Sequence, residues 1–106
     1  MQVYSNLKNY RLHRKEQSVD DLPFEWDKLS DVPAVAIKHG YLAVLVYAYI
    51  HSGISLSLTD FKDPWDSGIA GVLLFKHNAQ NVSKQAADFV NNYNKDLSED
   101  DYEEMD

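Results

Sequence analysis

The stretch YLAVLVYAYIHSGISLSL, residues 41–58, carries two hydrophobic patterns with three small or polar residues between them. Tyr41–Ile50 is a continuous apolar run, too rich in Val, Ile and Tyr to favour a helix, and it predicts a strand buried on both faces. After it, Ile54, Leu56 and Leu58 alternate with Ser55, Ser57 and Thr59, the period of a half-buried strand over 54–60. His51-Ser52-Gly53 has the length of a hairpin loop with glycine at the left-handed position. The stretch therefore predicts an antiparallel hairpin.

Working outward, residues 61–68 read as a loop punctuated by Pro64 and Gly68. IAGVLLFK, residues 69–76, reads as a further strand, and Gly71 inside it marks a bulge or a close approach of another backbone. Ala86, Phe89, Val90, Tyr93 and Leu97 share one face of a helix over 81–97, capped by Asn81 or Ser83. Ser98-Glu99-Asp100-Asp101 resembles a fresh helix start, with Ser98 as cap and acids in the first turn. Upstream, VPAVAIK (32–38) reads as a strand. DDLPFEWDKL (20–29) reads as a short helix anchored by Phe24, Trp26 and Leu29, with Pro23 in its first turn. Residues 1–17 form a short helix or an ordered arm. Consecutive strands with short turns imply an antiparallel meander, and the last helix covers its apolar face. The fold class is α+β, in two layers, as a single domain over 1–106.

Composition narrows the function. The chain of 106 residues has 17 acidic against 10 Lys and Arg residues, a net charge of −7, and no cysteine. Disulfides, thiolate nucleophiles and thiolate zinc sites are excluded. The acidic balance opposes phosphate and anionic membrane and favours basic partners, so direct nucleic-acid binding is not expected. Charge is also segregated. Lys8, Arg11, Arg14 and Lys15 lie in an arm without acids before Glu16, whereas residues 96–106 hold seven acids and no base. The longest apolar run is about half a membrane span, and the first residues lack a signal-peptide core. A soluble, cytoplasmic protein is the expectation.

Two Ser-Gly dipeptides flank the second strand of the hairpin: one follows His51, the other Asp66. His51, Ser52, Asp66 and Ser67 hold the residue types of a nucleophile–base–orienter set. In an up-down meander, however, the two loops sit at opposite ends of the sheet, ~20 Å apart. The alternative is structural. His51 and Gly53 then close a hairpin, Trp65 plugs the core edge, Asp66 accepts backbone N–H groups two residues on, and Gly68 takes a positive φ. His13, His39, His51 and His77 lack the spacing of metal ligands on a helix. No phosphate-binding glycine loop or EF-hand pattern is present, so no cofactor or metal is expected.

YAYIHSGISLSLTDFKDPWDSGIAG, residues 47–71, resembles a family of small proteins encoded by tailed phages and related prophages. Its members carry Tyr-Asp-His-Ser-Gly-Ile, an alternating strand, then Pro-Trp-Asp-Ser-Gly and a following Gly. Upstream they carry Glu-Trp-Asp-x-Leu, matched here by Glu25-Trp26-Asp27-Lys28-Leu29. The resemblance spans residues 23–75. Ile50 stands where relatives often have an acid, and the last helix runs into acidic residues instead of a Tyr- and Gly-containing tail. The family has no established activity, so the resemblance implies a phage setting and not a mechanism. The functional expectation is a non-enzymatic accessory protein binding a basic host protein, in its sharpest form an inhibitor of a host defence nuclease. Glu99, Asp100, Asp101, Glu103 and Glu104 would mimic a phosphate ladder, with Tyr102 as an anchor. A small enzyme or ligand-binding domain using His51, Asp66 and Ser67 is the rival, and a self-assembling structural module is a third reading.

Overall fold

Two ten-residue strands form the centre of a five-stranded sheet. A computed structural model describes residues 1–105, and their side chains as far as residue 96. In chain order the elements are β1 (Gln2–Ser5), β2 (Gln17–Ser18), α1 (Val32–Lys38), β3 (Tyr41–Ile50), β4 (Ile54–Ser57), β5 (Ser67–Lys76) and α2 (Val82–Met105). Short 3-10 turns at Val19–Asp21 and Leu29–Asp31 link β2 to α1. The order across the sheet is β2-β1-β5-β3-β4. The fold is α+β, as expected.

The hairpin forms as read. Ile50 pairs with Ile54 and Tyr47 with Ser57, and the His51 N–H donates to the Gly53 carbonyl at 3.0 Å. Gly53 has φ 148° and Ser52 also lies at positive φ, 60°. β4 is shorter than its alternation implied, ending at Ser57. β3 is flanked on both sides, by β4 and by β5, each antiparallel to it. The sheet is therefore not a simple meander, because β5 passes β4 and pairs with β3 directly. β1 then adds antiparallel to β5, and β2 adds parallel to β1, which makes the sheet mixed. β1 replaces the helix or arm read over residues 1–17. Val3 and Tyr4 point to opposite faces of the sheet and are both buried, so its strand state is set by pairing with β5.

Two upstream readings are reversed. VPAVAIK is α1, a helix. Pro33 sits in its first turn, where a missing N–H costs nothing. Val32 and Ala36, four apart, are fully buried on one face, and Gly40 ends the helix at φ 83°. DDLPFEWDKL is not a helix. Its first two residues lie in the 3-10 turn Val19–Asp21, and its last, Leu29, begins the next one. Ser18 Oγ caps the first turn by accepting the Asp20 N–H at 3.1 Å, and the chain then carries Leu22 and Phe24 into the core. Trp26, half-buried, donates its indole N–H to the Val19 carbonyl at 3.2 Å.

Because α1 and this segment cover one face and α2 the other, the domain has three layers, not two. Tyr4, Val32, Ala36, Val72 and Leu74 make the core under α1. Val3, Val46, Leu73, Phe75, Ala86 and Val90 make the core under α2. Ala86, Phe89, Val90 and Tyr93 face the sheet as the periodicity predicted. The fresh start read at Ser98 is absent, since α2 runs on to Met105. Nothing between Leu97 and Ser98 breaks the ladder, and each added residue extends a helix at little cost.

Burial pushes the Tyr4 phenol above its ordinary 10.0, with neighbouring phenol and carboxyl groups adding to the effect. Tyr93 shifts the same way, through burial first and then the Glu16 charge. A raised tyrosine pKa means the unfolded chain loses its proton first as pH rises. Stability is therefore full below ~10 and falls as pH climbs through the folded-state value. Denaturant melts at increasing alkaline pH should show this fall, and Tyr4→Phe should flatten it.

Candidate functional site

The site grows out of the shortness of β4. The chain leaves the sheet at Ser57 and needs only residues 58–66 to return and start β5 beside the far end of β3. Tyr49 pairs with Ser67, and the Ile50 N–H donates to the Asp66 carbonyl at 2.8 Å. The two Ser-Gly loops, expected at opposite ends of the sheet, therefore meet at one end. His51 Nδ1 lies 3.3 Å from Asp66 Oδ2. The separation of ~20 Å expected for a meander fails because β5 runs beside β3 and not beyond β4.

Ser67 does not complete a catalytic set. Its hydroxyl donates to the Asp63 carbonyl, not to His51. A nucleophile needs the base within hydrogen-bond reach. His51 and Asp66 are 66% and 38% exposed, so water screens their attraction and the contact holds the loops together only weakly. Among the described residues no group of three or more His, Asp or Glu side chains is placed to hold a metal ion.

Asp63 organises the returning loop. Its Oδ1 accepts the N–H groups of Trp65 (2.9 Å) and Asp66 (3.1 Å). Asp60 Oδ1 accepts the Lys62 N–H at 2.9 Å, and Lys62 sits at φ 60°. The turn assigned to Asp66 is thus made by Asp63, and Gly68 has no positive φ among the described residues. Asp60-Phe61-Lys62 and Asp63-Pro64-Trp65 carry the ordinary signal for such turns, an Asp two residues before the donor. Phe61 packs obliquely on Tyr49 at 5.6 Å between ring centroids, and Tyr49 in turn meets His51 at 6.2 Å.

Trp65 is the main correction. Expected to plug the core edge, it is 89% exposed. The bond from its backbone N–H to Asp63 fixes the main chain of the turn at this residue. Ile54, Leu56 and Ala70, all buried, fill that end of the core without it. Phe61 is exposed as well. The loop thus presents two aromatic rings to solvent between Asp60, Asp63 and Asp66.

The acids Glu99, Asp100, Asp101, Glu103 and Glu104, with Tyr102, lie on the last turns of α2, outside the residues whose side chains are described. No helix among the described residues is long and apolar enough to cross a membrane. Comparison with protein-family models, curated proteins and solved structures returns no match.

Proposed function

We propose that the chain is a non-enzymatic accessory protein of a phage, acting in the host cytoplasm by binding a host protein with a basic surface. Its sharpest form is inhibition of a host defence nuclease of the CRISPR or restriction type. The observation that carries the binding reading is Trp65. A tryptophan 89% exposed, on a loop held by its own side-chain-to-backbone bonds, has the backbone part of its ordering cost met before any partner arrives. Aromatic anchors dominate interface energies, and a held backbone lowers the cost of presenting one. The surrounding carboxylates and the net charge of −7 favour a basic partner over a nucleic acid, and the acids of residues 96–106 add long-range steering. The phage setting rests on the quoted sequence motif.

The 3.3 Å approach of His51 to Asp66 favours a second reading, a small ligand-binding or catalytic site at the same loops. The engagement of Ser67 with Asp63 counts against it.

Trp65→Ala separates anchor from core residue. As an exposed side chain its loss should change stability by no more than ~0.5 kcal/mol. As an anchor its loss should weaken partner binding by ~2 kcal/mol or more. The measurements are thermal denaturation and the plating efficiency of a restricted phage on nuclease-bearing hosts that express the protein. Wild type should restore plating and Trp65→Ala should not. Unrestored plating with wild type on both CRISPR and restriction hosts ends the inhibitor reading. A large fall in thermal midpoint for Trp65→Ala would return the residue to the core.

A further inference from the structure

α1 covers only half of its face of the sheet. Along β3, Tyr41, Ala43 and Leu45 pack beneath it. The same face continues past Leu45 with Tyr47 and Tyr49, and Tyr47 pairs across to Ile69 of β5. Among the described residues, neither α1 nor α2 lines the space above Tyr47 and Ile69. Tyr47 and Ile69 floor an open groove whose sides are Ser30, Asp60, Lys62, Asp63, Pro64, Ser67 and Gly68, while Tyr49 packs under Phe61. Tyr47 and Ile69 are each half-buried, so the floor is apolar and aromatic but remains within reach of solvent.

The groove walls are acidic on balance, with two carboxylates to the single ammonium of Lys62. Asp60 and Asp63 each use Oδ1 on the loop's own backbone. Among the described residues His51–Asp66 is the ion pair formed, so neither groove carboxylate is neutralised by Lys62. A ring on the floor with carboxylates at the rim matches one side chain in particular. A guanidinium is planar, stacks on an aromatic face, and offers a fork of donors to a carboxylate. An ammonium supplies the charge without the plane.

We propose that this groove is a docking site for an arginine-bearing segment of the partner protein, with the guanidinium over Tyr47 and its donors on Asp60 and Asp63. The inference rests on the reading that the partner is basic, and it names the surface and the side chain recognised. The acids on the last turns of α2 would then steer the approach without forming the specific contact.

The test is a titration of the full isotopically labelled chain with an alternating glycine–arginine peptide and with its glycine–lysine counterpart, followed by amide chemical shifts at constant salt. Shifts are expected at Tyr47, Asp60, Lys62, Asp63 and Ile69, with the arginine peptide bound roughly two- to fivefold tighter, because a guanidinium adds planar stacking and a donor fork to the attraction an ammonium also has for the ring. Tyr47→Leu should shrink that preference by weakening the arginine peptide more than the lysine peptide. Asp60→Asn with Asp63→Asn keeps both Oδ1 acceptors and removes both charges. That variant should weaken both peptides and keep the fold, which leaves the groove testable even if Tyr47→Leu does not fold. Equal affinity of the two peptides overturns the inference. Shifts confined to residues 96–105 also overturn it, while leaving a basic partner in place. No shift with either peptide ends both readings. Concentration-dependent shifts at the same residues without peptide would assign the groove to a second copy of the chain and overturn the proposal.

Discussion

Gly71→Ala should destabilise the domain by ~3 kcal/mol or more, the upper range for forcing an extra carbon into a packed site. A Cβ at this position would lie 2.2 Å from the Tyr4 carbonyl oxygen and 2.8 Å from Leu12 Cδ1. The leucine methyl has room to turn aside. The carbonyl does not, because Tyr4 belongs to β1, whose register sets Ser5 opposite Gly71 and Tyr4 opposite Val72. The methyl must push β1 off β5, and β1 carries Val3 into one core and Tyr4 into the other. Gly68→Ala is the control on the same strand. Nothing lies within 4 Å of its Cβ position and its φ is an ordinary one. Its expected effect is neutral or stabilising by ~0.4–1 kcal/mol, through the smaller entropy of the unfolded chain. For a domain of this size ~3 kcal/mol lowers the thermal midpoint by more than ~10 °C. Equal midpoints for the two variants would refute the close approach of β1.

Asn94→Ala should cost ~2–4 kcal/mol and expose the protein to self-association. Asn94, on α2, sits against the outer edge of β4. Its Oδ1 accepts the Leu56 N–H and its Nδ2 donates to the Leu56 carbonyl, both at 2.9 Å. One side-chain amide thus takes the place of a neighbouring strand. Leu56 is 3% exposed, so its freed backbone groups have poor access to water. An unsatisfied buried donor or acceptor costs ~1–3 kcal/mol. An open edge is also a template for pairing with another chain. Denaturation midpoints and sedimentation at two protein concentrations are the measurements. A variant as stable and as monodisperse as wild type would show that Asn94 does not guard the edge. The opposite edge is formed by β2, only two residues long, and offers little to pair with.

The readings that held rest on patterns shorter than a hairpin. The alternation after Gly53 placed β4 beside β3, because a three-residue loop leaves no other partner within reach. The helical face of Ala86, Phe89, Val90 and Tyr93 needed only an apolar surface to lie on. Gly71 within an apolar run signalled a bulge or a close approach, and both occur there, a register shift beside Gly71 and the Tyr4 carbonyl against it, although the pattern did not say which backbone approaches. The failures share a different cause. VPAVAIK and DDLPFEWDKL are short segments without a decisive period, and each took the state that its packing favoured. α1 is stable because Val32 and Ala36 bury against the sheet, and the segment before it stays irregular, between two 3-10 turns, because Leu22 and Phe24 fill the same core.

The candidate site was legible as residues but not as a place. His51, Trp65, Asp66 and Ser67 stand out in the sequence, and Asp60 and Asp63 carry the turn signals that organise the loop between them. Whether the two Ser-Gly loops meet depends on which strand β5 chooses as neighbour. That choice depends on the length of β4 and on the pairing of β1 with β5, contacts between residues more than sixty apart in the chain. The sequence by itself determined the β3–β4 hairpin, the strand character of β5, the buried face of α2 and the acidic balance, because local periodicity and composition act through neighbours in the chain. Only the tertiary structure decided the insertion of β1, the helical state of α1, the approach of His51 to Asp66 and the exposure of Trp65. Each of these is set by competition for one buried surface among segments distant in sequence, and no local pattern records which segment wins.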